Sequence, residues 1–268
     1  MITRKSADQI DRMRVAGRLV GHTLSTLVET VRPGITLLEL DALAERVIRD
    51  GGGIPSFLGY HGFPNTLCLS PNDWIVHGIP NGHRLEEGDI LSIDCGAIVD
   101  GWHGDAAVTV AVGQVDDAAR RLIETTERAM WAGIAQVRAG KRLSDIGHAV
   151  ERVAAAPGYG VVREYVGHGI GTRMHEEPQV PNYGRPGHGL RLEAGLALAI
   201  EPMVNEGSPE TRVLDDGWTV VTRDGSRSAH FEHTVAITPQ GPEVLTLLDD
   251  ARQEDWLPTA APARPPAR

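Results

Sequence analysis

The stretch Leu91-Ser92-Ile93-Asp94-Cys95-Gly96-Ala97-Ile98-Val99-Asp100-Gly101-Trp102-His103-Gly104-Asp105-Ala106-Ala107-Val108-Thr109-Val110-Ala111-Val112 alternates like two strands hinged at an Asp-Gly pair. Asp-Gly between alternating apolar runs is a strong two-residue hairpin signal. A turn at Asp100-Gly101 sets Val99 opposite Trp102, Asp94 opposite Ala107 and Asp105 opposite Gly96. Both carboxylates then share one face as diagonal neighbours, roughly 7 Å apart at Cα. Two anions aimed from rigid strands at one point repel, and a divalent cation between them relieves that repulsion. A loop one residue longer would put them on opposite faces. Two solvated acids on an exposed sheet face also fit this stretch alone, because antiparallel sheets commonly present one polar face to water.

The 268-residue chain is long enough to bury a sizeable core. Its net charge of −10 argues against a nucleic-acid footprint, which needs a basic face. Cys68 and Cys95 are its only cysteines, too few for a disulfide framework, which fits a reducing cytosol. No apolar run is long enough to span a bilayer and no apolar leader opens the chain, so a cytoplasmic protein is expected.

Upstream of the hairpin, Ser6 with Gln9 reads as a capping box. Ile10, Met13, Val20, Leu24, Leu27 and Val31 follow at helical spacing until Pro33-Gly34. Thr36 with Glu39 opens a second helix, carrying Leu40, Leu43, Val47 and Ile48 to Gly51. Ile54 to Gly82 reads as loops and short strands. Downstream, helices are expected over 118–137 and 143–155, then a glycine-rich section around His168, then further strands.

The second half echoes the first. Val31-Arg32-Pro33-Gly34 recurs 106 residues on as Val137-Arg138-Ala139-Gly140, and Glu45-Arg46-Val47 as Glu151-Arg152-Val153. At an offset of 107, Arg84-Leu85-Glu86-Glu87-Gly88 recurs as Arg191-Leu192-Glu193-Ala194-Gly195, Asp94 as Glu201, and His61-Gly62 as His168-Gly169. Ordered matches at nearly one offset indicate duplication. Two αα-then-β halves, about 6–113 and 114–250, are expected to form one catalytic domain over 1–252 with a polar site at their junction. Residues 253–268, rich in Ala, Pro and Arg, are expected to be a disordered tail.

Glu201 interrupts the apolar strand pattern Leu196 to Met203, and Glu232 interrupts Ala229 to Ile237. Unpaired charges inside such strands are costly. Together, Asp94, Asp105, His168, Glu201 and Glu232 make an oxygen-rich donor set with one imidazole. Four carboxylates carry too much negative charge for one divalent ion, and two ions fit better.

Ser92-Ile93-Asp94 with His103-Gly104-Asp105, Val166-Gly167-His168-Gly169-Ile170-Gly171, His175-Glu176-Glu177-Pro178, Ile200-Glu201-Pro202-Met203 and Phe231-Glu232-His233-Thr234 stand in order along the chain. This pattern resembles the type I methionine aminopeptidases, in their short bacterial form, from about Ser6 to Leu248. The resemblance implies an α+β pita-bread fold, two pseudo-symmetric αα-β halves around a central antiparallel sheet. It also implies removal of the initiator methionine from nascent polypeptides, preferentially before a small second residue, by a monomeric enzyme in transient contact with the ribosome.

The same resemblance assigns roles. Asp94 would chelate one divalent ion, Asp105 and Glu232 would bridge two, and His168 with Glu201 would hold the other. Cobalt, manganese, iron and zinc all accept such donors. Glu201 would also shuttle a proton, and His77 and His175 would contact the peptide beside the metals. Tyr60, Phe63, Cys68 and Trp218 would line the methionine pocket together with His77 and His175. Asn72, Trp74 and Ser228 would surround a monovalent cation. Trp74, Met174 and His230 depart from the family pattern at the pocket rim and behind the ligands. The alternatives are a prolidase or proline-specific aminopeptidase on the same fold, or a non-catalytic binding protein built on it.

Overall fold

The structure, a computed structural model, describes residues 2–249 and 251. The expected tail at 253–268 lies outside them. Helix α1 spans Ala7–Thr30 and opens on the Ser6–Gln9 capping box, with Val31 as its C-cap rather than its last turn. Helix α2 spans Leu37–Asp50 behind the Thr36–Glu39 box. Helices α3 (Asp117–Ile134) and α4 (Leu143–Ala154) repeat the pair. Helix α3 stops short of the expected Val137, because the amides of Gln136 and Val137 turn back to the carbonyls of Gly133 and Ile134.

A nine-stranded sheet forms the centre. Its long hairpin pairs Ile90–Val99 with Trp102–Ala111 in the register read from the sequence: Asp94 faces Ala107, Gly96 faces Asp105 and Val99 faces Trp102. Asp100 and Gly101 both take positive φ, 48° and 78°, which makes the turn the primed type that matches strand twist. Helix α1 lies on the face away from the two aspartates. It approaches so closely that a Cβ on Gly104 would stand 2.8 Å from the Gly17 amide nitrogen, so only glycine fits there. Met13, Leu24 and Leu27 from α1 are fully buried, and truncating one to alanine costs about 2–5 kcal/mol.

The pseudo-symmetry is visible in backbone hydrogen bonds. Thr36 bridges Arg84 in the first half, and Arg142 bridges Arg191 in the second. Gly34 N–H donates to Leu85 and Leu37 N–H to His83, as Gly140 N–H donates to Leu192 and Leu143 N–H to Leu190. Each half therefore ties the start of its second helix to the segment leading into its sheet strands.

Two chain segments cross from the large sheet into a smaller one at the same level. Ala197–Ile200 and Glu232–Thr238 pair in the large sheet, whereas Met203–Asn205 and Ser228–His230 pair in the small one. Glu201-Pro202 and Phe231 occupy the crossing, between the pairs Ile200–His233 and Met203–His230. Glu201 and Glu232 thus sit at strand ends rather than inside continuous strands as the sequence pattern suggested: Pro202 has no N–H to continue the ladder. Among the described residues no helix is long and apolar enough to cross a membrane.

Candidate metal centre and peptide pocket

Strand register brings the acids together. Cys68 pairs with Asp94, Asp94 with Ala107, and Ala107 with Glu232, a single row across four strands. Asp105, two residues from Ala107, shares its face because side chains repeat every second residue. Asp94, Asp105, His168, Glu201 and Glu232 all line one cavity of about 160 Å³. Asp105, His168 and Glu232 offer ligand atoms that lie within 4.8 Å of one another.

His168 enters from the short strand Gly167–Gly169. Its Nδ1 lies 2.9 Å from the Gly169 carbonyl oxygen, which can only accept, so Nδ1 carries the proton and Nε2 presents its lone pair to the cavity. Nε2 stands 3.5 Å from Glu201 Oε1 and 4.0 Å from Asp105 Oδ2. Ligand atoms sharing an ion at about 2.0–2.2 Å are themselves roughly 3–4 Å apart, so this spacing suits a common ion. Burial keeps the imidazole neutral, its pKa lowered to about 3.

The carboxylates are held against their own preference. Burial pushes Asp94 up to about 7. Burial, then the neighbouring acids, drives Asp105, Glu201 and Glu232 well above the ordinary carboxylate range. Asp94 Oδ1, Asp105 Oδ1 and Glu232 Oε1 are buried without a hydrogen-bond partner. Orphaned anionic oxygens around one cavity, with a neutral imidazole nitrogen aimed at them, fit divalent cations and little else. The backbone beneath them is fixed: Thr234 Oγ1 accepts from Asp105 N–H at 3.1 Å and donates to its carbonyl at 2.8 Å. The Asn182 side chain donates to the Glu201 carbonyl at 3.0 Å.

The other wall of the cavity is apolar. Phe57, Phe63, Cys68 and Met174 form one buried cluster with Tyr60, Ile79 and Trp218 packed against it. The Phe63 and Trp218 rings meet edge to face at 5.1 Å. Asp216 holds the Trp218 loop by accepting from the Trp218 and Thr219 amides and the Thr219 hydroxyl. Phe57 was not singled out in the sequence, and its aromatic side chain in a Gly- and Pro-rich loop is the signal that could have found it. Met174, a departure from the family pattern, is buried in this cluster.

His77 and His175 also line the cavity. The His77 ring lies 6.3 Å from Trp218, and burial lowers its pKa to about 4. At the mouth, Tyr60 Oη and His175 Nδ1 are hydrogen-bonded at 2.8 Å, and the His175 ring lies 4.3 Å from the His168 ring, tilted 58° to it. His61, the internal counterpart of His168, is exposed in a tight turn with φ of 48° and does not line the cavity. Asn72, Trp74 and Ser228 lie apart from it. Ser228 N–H donates to the Asn72 carbonyl at 2.8 Å, while Trp74 packs in a separate three-stranded sheet.

Residues 11–239 match the model of metallopeptidase family M24. The chain belongs to that family. It is 52% identical to a methionine aminopeptidase of Clostridium perfringens, over 92% of this chain and all of that protein. Methionine aminopeptidase 1 of Mycobacterium tuberculosis is 50% identical, over 92% of this chain and 96% of that protein. The crystal structure of methionine aminopeptidase from Rickettsia prowazekii superposes with a TM-score of 0.91 at 44% identity, covering 92% of this chain and all of that one. A prolidase from Pyrococcus furiosus shares the fold with a TM-score of 0.73 at 22% identity, over 91% of this chain and 65% of that one. The resemblance read from the motifs and the pita-bread architecture it implied are both borne out, and the chain is a metallopeptidase.

Proposed function

We propose that this chain removes the N-terminal methionine from nascent polypeptides, preferentially when the second residue is small, and that it does so as a cytoplasmic monomer in transient contact with the ribosome. The observation that carries this reading is an apolar cup sharing one cavity with Asp94, Asp105 and Glu232, each of which buries an oxygen without a partner. A flexible thioether gains burial and sulfur–aromatic contact in such a cup, and the reacting amide then falls beside the acids. Residues 1–252 act as one catalytic domain.

Asp94, Asp105, His168, Glu201 and Glu232 hold two divalent ions, cobalt, manganese, iron or zinc. Such ions supply Lewis-acid polarisation of a carbonyl and lower the pKa of water. Asp105 and Glu232 would serve both ions, Asp94 one of them, and His168 with Glu201 the other. Glu201 accepts a proton at a carboxylate oxygen and returns it to the departing amine. His77 and His175 bond the peptide beside the first amide, and their low pKa keeps them neutral for that purpose. Tyr60, Phe63, Cys68 and Trp218 receive the side chain. Asn72, Trp74 and Ser228 border a monovalent cation behind the site.

A peptide panel, Met-Xaa-Ser with varied second residue plus Leu-Ala-Ser and Xaa-Pro dipeptides, tests the reading after chelation and reloading with each metal. Release of methionine before Ala, Gly or Ser is expected. Turnover of Xaa-Pro but not of Met-Ala-Ser would point to a proline-directed peptidase, and no turnover with bound metal to a binding protein.

A further inference from the structure

The N-terminal arm reaches across the molecule to the segment that carries His175. Lys5 and Glu176 form an ion pair at 2.8 Å with each side chain only 4% exposed, although 171 residues separate them. Thr3 Oγ1 donates to the same Glu176 oxygen at 2.6 Å. The arm is fixed in turn by Lys5 N–H donating to the Gly195 carbonyl at 2.7 Å. Burial alone would raise the Glu176 pKa, but the Lys5 and Thr3 hydrogen bonds bring it below the usual carboxylate range.

Glu176 closes the loop that precedes it. Its other oxygen accepts from Arg173 N–H at 3.4 Å, and Gly171 N–H donates to the Arg173 carbonyl at 3.1 Å. Between these bonds the loop presents Met174 to the apolar wall and His175 to the cavity mouth. Gly171 has no room for a side chain, since a Cβ would stand 2.6 Å from Glu176 Oε1 and 2.7 Å from Lys5 Cε. Its carbonyl accepts from His103 N–H at 2.9 Å, two residues before Asp105.

We infer that Lys5 is a positioning residue for the peptidase reaction: through its buried pair with Glu176 it latches the Gly171–Glu176 loop and so sets where His175 stands. The inference rests on the reading of His175 as a group that contacts the peptide. A buried carboxylate stripped of its cation moves toward water, because an uncompensated charge is far costlier inside a protein than a neutral gap. A Glu176 carboxylate that turns toward water gives up its bond to the Arg173 amide and so frees the loop that carries His175, and displacements of about 1 Å at a reacting group cost up to about a hundredfold in rate.

Kinetics of the metal-loaded full chain on Met-Ala-Ser test this with Lys5→Met, His175→Ala and the double variant. Lys5→Met is expected to lower kcat/KM about tenfold, more in kcat than in KM. In the His175→Ala background it is expected to cost nothing further. Wild-type kinetics for Lys5→Met, or a tenfold loss repeated in that background, would overturn the inference while leaving the role of His175 intact. Full activity of His175→Ala would instead overturn the role of His175 and the inference with it. Should Lys5→Met fold poorly, Thr3→Val removes two bonds of the latch, the donation to Glu176 and the acceptance from Lys5 Nζ, and leaves the ion pair. It is expected to lower kcat/KM a few-fold, again only while His175 is present, and the same loss without His175 counts against the latch.

Discussion

On the floor of the cavity Asp94, Asp105 and Glu232 each keep a buried carboxyl oxygen without a hydrogen-bond partner, beside the buried Glu201, whereas the wall opposite is packed ring against ring through Phe57, Phe63 and Trp218. The wall is stable as it stands and gains only by admitting an apolar side chain. The floor is costly as it stands and becomes favourable only when cations arrive. One cavity therefore combines a preformed apolar wall with a set of donors whose cost divalent cations would relieve.

Breaking the floor should produce the largest effect. Asp105→Ala and Glu232→Ala are each expected to lower kcat/KM on Met-Ala-Ser by about a thousandfold or more, since a divalent ion supplies several kcal/mol to such a reaction. The thermal midpoint of the metal-free protein should not fall, because each substitution removes a buried acid that lacks a partner for one oxygen. A lower midpoint in the metal-free state would mean these acids stabilise the fold and are not held for cations.

Breaking the wall should cost less. Trp218→Ala is expected to raise KM for methionyl peptides about tenfold or more, the scale of lost apolar contact in a pocket, with a smaller change in kcat. Asp216→Ala leaves the indole in place but frees its loop, and a hydrogen bond of about 0.5–1.5 kcal/mol predicts a rise of roughly threefold to tenfold. Equal effects of Trp218→Ala on KM for Met-Ala-Ser and on cleavage of peptides with small first residues would break the division of labour.

Metal binding should also release protons. Asp94, with a pKa near 7, and the other three acids, raised well above the ordinary carboxylate range, hold protons that cations displace. His168 is already neutral and contributes none. Titration calorimetry in buffers of different ionisation enthalpy should therefore show more protons released per ion at pH 6.5 than at pH 8. Release that is independent of pH, or larger at pH 8, would contradict the raised acids.

Local patterns carried much of this architecture. Ser6 with Gln9 and Thr36 with Glu39 announce helix starts because capping bonds span only three residues. Asp100-Gly101 fixes the hairpin because primed turns demand positive φ twice. Glu201 and Glu232 were legible as misplaced charges, yet the strand switch that puts them at chain crossings was not, since a sheet change leaves the apolar pattern uninterrupted. Phe57 and Met174 gave no periodic signal, because loop side chains are placed by what surrounds them.

By itself the sequence determined the facing of Asp94 and Asp105, the two helix pairs and the duplication, all of which depend on contacts between near neighbours or on repetition along the chain. Only the tertiary structure decided that Cys68, Asp94, Ala107 and Glu232 form one row, that His168 turns Nε2 toward Glu201, and that Lys5 is buried against Glu176. Those outcomes depend on how separate strands pair and how the two halves close. No local spacing encodes them, because the groups concerned first meet when the chain packs.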